Sequence, residues 1–131
     1  MPRGGFEELI VWRKGIDLVK NVYSLTRQFP SDERFGLTSQ MRRAAVSIPS
    51  NLAEGHARHT TKEYVLFVSN AEGSAAELQT QLQIAIELGY CGEGGVDIVS
   101  GQLYEIRKML NALRRELNAR IVRRLPRPRR L

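Results

Sequence analysis

One cysteine, two histidines and the absence of any long apolar run set the first limits on this sequence. Cys91 has no second cysteine to pair with inside the chain, so disulfides do not hold the fold. Its neighbours, Tyr90 and Gly92, bring no positive charge that would activate the thiol as a nucleophile. His56 and His59 stand three residues apart with Glu63 following, but a transition-metal centre needs further ligands converging from other segments. The Glu-x-x-His units by which metal-dependent helical bundles hold their ions are missing. Gly92 to Gly95, GEGG, lacks the Lys-Ser/Thr ending of a phosphate-binding loop. No apolar stretch approaches the roughly 18 residues of a membrane-spanning helix, and no secretion-signal pattern opens the chain. The expectation is a cytoplasmic protein with no membrane partner, metal, cofactor or catalytic site, and not an enzyme.

What is present suits one helical domain. At 131 residues the chain can bury a single core, and apolar residues make up 42% of it before its 11 glycines are counted. The net charge of +6 is unevenly placed. Arg120, Arg123, Arg124, Arg127, Arg129 and Arg130 crowd the last twelve positions without an acid, and removing those six leaves 14 basic residues against 14 acidic ones. The body is formally neutral, and the basicity belongs to the end.

Helical spacing recurs four times. In the first helix Leu9, Trp12, Ile16, Val19 and Tyr23 form one apolar row, and Val11, Leu18, Val22, Leu25 and Phe29 form a second, about 100° round the cylinder. A face this wide implies either contact on a second side, within the bundle or with another copy, or a more deeply buried helix. Pro30 closes this segment, and PSDERFG (30–36) reads as a connection whose Phe35 covers the end of the core. The second helix, from about Thr38, places Leu37, Met41, Ala45, Ile48 and Leu52 in phase across Pro49. That proline therefore reads as a kink, or as a break with immediate restart, and not as a chain reversal. Thr60 and Glu63 have the spacing of a capping box for a third helix, which carries Tyr64, Phe67, Val68, Ala71, Ala75, Leu78, Leu82 and Ala85 and ends near Gly89. Within it, Gly73 to Ala76 are small enough to admit a neighbouring backbone, with Ala44 and Ala45 as the facing residues. YCGEGGV (90–96) reads as the third loop. From near Asp97 a heptad follows through Val99, Leu103, Ile106, Leu110, Leu113, Leu117 and Ile121, with Arg107, Lys108, Arg114 and Arg115 off the seam. The resulting expectation is an all-α, antiparallel up-down-up-down four-helix bundle over 6–122, helix two kinked near Pro49, with a flexible lead-in at 1–5 and a basic extended tail at 123–131.

Two sets of residues are candidates for function. The first is basic: Arg42, Arg43, Arg114 and Arg115 as fixed contacts, joined by Arg120, Arg123, Arg124, Arg127, Arg129 and Arg130, all suited to nucleic-acid phosphates. The tail has no interleaved aromatic for base stacking. The second is a packing and assembly seam. Arg43, Ser47, Asn51 and Glu54 trail the apolar stripe of helix two by one residue around Pro49, and Ser74 and Glu77 belong to a comparable row on helix three, so that Arg43 can pair with Glu77 or Glu54.

The segments LIVWRKGIDLV (Leu9 to Val19), FGLTSQMRRAAVSIPSNLAEG (Phe35 to Gly55), KEYVLFVSNAEGSAAELQTQL (Lys62 to Leu82) and ELGY (Glu87 to Tyr90) resemble the four-helix bundle family named for proteins encoded in intervening sequences of 23S ribosomal RNA genes. The resemblance runs from about residue 7 to 120, leaves the arginine-rich end outside, and is most specific in RRAAVSIPSNLAEG. It implies a cytoplasmic bundle assembled as a ring-like homopentamer. Among the relatives it implies are basic, barrel-shaped accessory proteins of diversity-generating retroelements, which bind nucleic acid and a reverse transcriptase. Two functions follow as expectations: an oligomeric RNA- or DNA-binding accessory protein, or a structural and protein-interaction scaffold without nucleic-acid activity.

Overall fold

The apolar rows are met by four helices that hide them from water: α1 (Phe6–Thr26), α2 (Leu37–His56), α3 (Thr61–Glu87) and α4 (Glu93–Arg123), with a single 3-10 turn, Ser31–Glu33, between the first two. The computed structural model describes residues 6–126, with side chains at 8 and from 10 to 126. Among these residues there is no strand.

Contacts between neighbouring helices run in opposite sequence order. Along α1 and α2, Tyr23 meets Arg42, Gly15 meets Pro49 and Glu8 meets His56. Between α2 and α3, Ser47 meets Ser74 and Gly55 meets Phe67. Between α3 and α4, Glu72 meets Arg114 and Gln79 meets Arg107. The ring closes where Lys14 reaches Glu105 and Asn21 reaches Gln102, which lays α4 against α1. The backbones of the diagonal pairs α1/α3 and α2/α4 do not approach closely within the described residues. This is the up-down-up-down four-helix bundle that short connections favour.

The core lies where the four apolar stripes converge. Leu18, Met41, Ile48, Leu78, Ile106 and Leu110 are fully enclosed, and the α4 heptad is buried from Val99 to Leu117. The second row, Val11, Leu18, Val22 and Leu25 on α1 and Phe29 just past its end, enters the core. Of the first row, Trp12, Ile16 and Val19 are half-buried and Tyr23 is exposed, while the side chain of Leu9 lies outside the described residues. The wide face of α1 therefore has one side inside the bundle and one at its surface.

On α2, Leu37, Met41, Ala45, Ile48 and Leu52 are all buried, and the helix is continuous through Pro49. A break and restart is excluded. Pro49 has no N–H to give the Ala45 carbonyl, but its ring is buried against α1, where a Cβ added to Gly15 would lie 3.3 Å from the Pro49 Cβ. The α3 cap is as the spacing predicts: Thr60 accepts from the Glu63 backbone N–H at 3.2 Å. At the other end Gly89 takes φ +74°, the Gly89 N–H bonds the Ile86 carbonyl, and the Tyr90 N–H bonds that of Ala85, a C-terminal motif that needs glycine at this position.

Four sequence expectations change. Phe35 does not cover the core; it is 87% exposed, and Phe29, whose ring stands 5.5 Å from that of Tyr90, closes that end instead. The cause is local: Glu33 folds back to accept the Leu37 N–H at 3.1 Å, which caps α2 and leaves Phe35 outside. α1 stops at Thr26, before Pro30, where the Thr26 hydroxyl donates to the Val22 carbonyl at 2.8 Å. α4 starts at Glu93, not near Asp97, because the Gly89 motif completes the reversal early and Gly94 and Gly95 enter the helix. Finally, Gly73 faces open space. The tight approach between α2 and α3 is at Gly55, where an added Cβ would lie 2.6 Å from the Phe67 Cβ.

Candidate nucleic-acid interface

The polar seam beside the core is assembled in part. The Ser47 and Ser74 hydroxyls lie 2.8 Å apart across α2 and α3, and the Asn51 amide donates to both the Ser47 carbonyl and the Ser47 hydroxyl at 2.8 Å. These half-buried groups satisfy one another next to Pro49. Glu54, Arg43 and Glu77 stand outside the network, all exposed. Among the described residues no ion pair joins Arg43 to either acid; Glu77 instead accepts from the buried Gln81 amide at 3.1 Å. A one-residue trail beside an apolar stripe puts a long side chain within reach of water, and water competes for both charges.

The sequence-predicted arginines divide by what already holds them. Arg42 is committed to the fold. Its guanidinium lies 4.5 Å from the Tyr23 ring centre and donates through Nε to the Thr26 hydroxyl at 2.9 Å, fastening α2 to the end of α1. Arg114 is likewise engaged, donating through Nε to the Glu72 carboxylate at 2.6 Å in a half-buried pair. Arg120 and Arg123 share the Glu116 carboxylate at 3.5 and 3.2 Å. Arg43, Arg115 and Arg124 are exposed and have no carboxylate partner among the described residues. Arg127, Arg129 and Arg130 lie outside the described residues. Because α2 and α4 are diagonal, the two arginine doublets are not brought together.

A different basic cluster is assembled. On the outer side of α4 against α3 runs a groove of about 800 Å³, lined by Gln79, Tyr104, Arg107, Lys108, Asn111 and Arg115, with Leu82 and Leu103 also in its wall. Residues 104, 108, 111 and 115 follow three-and-four spacing along one face of α4, so the helix itself sets their row. Arg107 donates to the neutral amide oxygen of Gln79, which orients the guanidinium without cancelling its charge. The Lys108 ammonium lies 5.4 Å from the centre of the Tyr104 ring. Among the described residues no carboxylate pairs with Arg107, Lys108 or Arg115; the one acid in the wall, Glu116, is taken by Arg120 and Arg123. Three cations and an exposed aromatic along one groove can hold successive phosphates and present a ring to a base. The sequence showed Arg107 and Lys108 only as residues off the heptad, and Tyr104 not at all; the period that puts Tyr104 four before Lys108 was the available signal.

Elsewhere the polar groups serve the fold. Glu8, 5% exposed, sits among α1, α2 and α3 with one carboxylate oxygen 3.9 Å from His56 Nε2 and its charge beside the Tyr64 hydroxyl. Burial first, and the Glu8 carboxylate second, push the Tyr64 hydroxyl well above the ordinary tyrosine range. The half-buried Cys91 thiol is pushed up by burial, which suppresses its thiolate. Among the described residues no three histidine, cysteine or acidic side chains gather as a metal site. No described helix is long and apolar enough to cross a membrane.

Comparison with known proteins adds family and fold. No curated protein matches the chain. A solved structure of a protein of unknown function from the S23 ribosomal protein family of Bacteroides thetaiotaomicron superposes with a TM-score of 0.76 at 18% identity, over 84% of this chain and 99% of that one. At that identity it is similar in fold. Residues 7–112 match the family described as 23S rRNA-intervening sequence protein, and the chain belongs to that family.

Proposed function

We propose that this protein is a non-enzymatic, self-associating helical bundle that binds RNA or DNA as an accessory protein, and that the α3–α4 groove holds the phosphates. The observation that carries the reading is the unneutralised set Arg107, Lys108 and Arg115 around Tyr104. A neutral body is no obstacle, since the local field depends on how charges cluster and not on their sum. Repetition of a weak basic groove in an oligomer strengthens binding through avidity.

The test is fluorescence anisotropy with labelled RNA and DNA oligonucleotides at several salt concentrations. It compares the full chain, a version ending at Ile121, and a variant with Arg107, Lys108 and Arg115 all changed to Ala. Three phosphate contacts on a single strand give a log–log salt slope of about −2 from the groove, which the triple variant loses and the shortened chain keeps. Absence of salt-sensitive binding by the full chain rejects the reading and leaves the scaffold function. Self-association has its own support in the surface row of α1, where Trp12, Ile16, Val19 and Tyr23 are incompletely covered. A solution mass that is a multiple of 14.9 kDa is the expected result, and a monomer at micromolar concentration refutes it.

A further inference from the structure

We infer that the α3–α4 groove selects single-stranded nucleic acid and stacks a base on Tyr104, an inference that rests on the nucleic-acid reading above. Tyr104 is 68% exposed, on the outer face of α4 and four residues before Lys108. Side chains of this size are left in water when nothing in the fold needs them, but this ring is not isolated. The Lys108 ammonium lies over it at 5.4 Å, and Arg107 and Arg115 continue the positive charge along the same groove.

The arrangement has two parts with different requirements. The cations contact phosphates, which every nucleic acid presents. The ring requires the flat face of a base, which a continuous duplex keeps inside its stack and a single strand exposes. Ala112 is the small exposed apolar residue of the wall, with Leu82 and Leu103 buried in the core behind it, so a flat base meets no bulky side chain there. Asn111 and Gln79 supply amide groups at the same level for base edges or sugars. From Tyr104 to Arg115 the helix rises about 16 Å, the span of about five stacked nucleotides at ~3.4 Å each, so the cations bracket a short single strand with the ring at one end.

The second aromatic and basic hollow, lined by Tyr23, Arg34, Phe35, Arg42 and Arg43, also sets a cation against an exposed ring, Arg34 at 5.3 Å from the centre of Phe35, but it is smaller, about 560 Å³. Its Arg42 is bound to Thr26 and faces Tyr23, within the fold. Among the described residues, the groove on α4 sets three unpaired cations along one helix, against two, Arg34 and Arg43, in this hollow.

The experiment uses the full chain with a labelled 12-nucleotide oligo(U), a labelled oligo(dT) of equal length, and a 12-base-pair duplex, all at one salt concentration. Tyr104→Ala and Tyr104→Phe are compared with the unchanged protein, and circular dichroism checks that both fold. The expected result is single-strand binding about tenfold or more tighter than duplex binding, reduced roughly fivefold or more by Tyr104→Ala and restored by Tyr104→Phe, with the salt slope unchanged in both variants. Equal binding of duplex and single strands with no effect of Tyr104→Ala overturns the inference but leaves phosphate binding intact. Failure of every oligonucleotide to bind overturns both. A fall in the solution mass of Tyr104→Ala without nucleic acid also overturns the inference, because it identifies a second copy of the chain as the occupant of the groove.

Discussion

The hydroxyls of Ser47 and Ser74 meet at 2.8 Å where α2 crosses α3, with the Asn51 amide closing the group from one turn along α2. Small residues make the meeting possible, since a longer side chain at either position would separate the helices. The contact is half-buried and satisfied, the condition under which polar groups help a core to choose one register. A double-mutant cycle with Ser47→Ala and Ser74→Ala is expected to give a coupling of about 0.5–1.5 kcal/mol by urea denaturation. Additive effects of the two substitutions would show that the hydroxyls do not act as a pair.

Two glycines on neighbouring helices respond in opposite directions to alanine. Gly55→Ala places a methyl 2.6 Å from the Phe67 Cβ and 2.9 Å from the Tyr64 ring, so α2 and α3 must separate locally. A loss of about 1–3 kcal/mol is expected. Gly73→Ala meets nothing within 4 Å inside a helix, and a gain of about 0.5–1 kcal/mol is expected from reduced freedom of the unfolded chain. Thermal midpoints of the two variants, moving down and up, check the packing read at these positions.

Alkaline pH tests the buried group at Glu8. The folded chain holds the Tyr64 proton more tightly than the unfolded chain does, because burial and then the Glu8 carboxylate disfavour the phenolate. The resulting stability is complete below the ordinary tyrosine value of about 10 and drains as pH rises past it, where only the unfolded state releases the proton. The urea midpoint should therefore fall between pH 9 and 11 more steeply in the unchanged protein than in Tyr64→Phe. Some slope persists in the variant, since Tyr90 is shifted in the same direction by its hydrogen bond to Glu33. Parallel curves for the two proteins would mean that Tyr64 does not carry the effect.

Adjacent arginines on α4 separate stability from binding. Arg114→Ala breaks the half-buried pair with Glu72 and should cost about 1–2 kcal/mol while leaving oligonucleotide affinity within about twofold. Arg115→Ala removes an exposed groove cation, so stability should stay within about 0.5 kcal/mol while affinity falls severalfold at low salt. Denaturation and anisotropy on the same two preparations decide the assignment. Equal losses of affinity would place both side chains on the ligand.

Much of the architecture is determined by sequence alone, because helical burial leaves a period that can be counted. The α4 heptad, the phase kept across Pro49, the Thr60 cap and the reversal at Gly89 are each local in origin, set by side chains within a turn or two of one another. Tertiary structure decided what depends on a neighbour. Period cannot tell which of two adjacent rows on α1 meets the core, and it was the second. Nor can it tell which glycine another helix approaches; Gly55 is crowded and Gly73 is open. The arginines show the same division most plainly. All look alike in the sequence, but Arg42 and Arg114 are held by groups 16 and 42 residues away, whereas Arg107 and Arg115 keep their charge in a groove formed only when α4 lies against α3. Whether a charge is free or neutralised is a property of what surrounds it in space, which the order of residues along the chain does not contain.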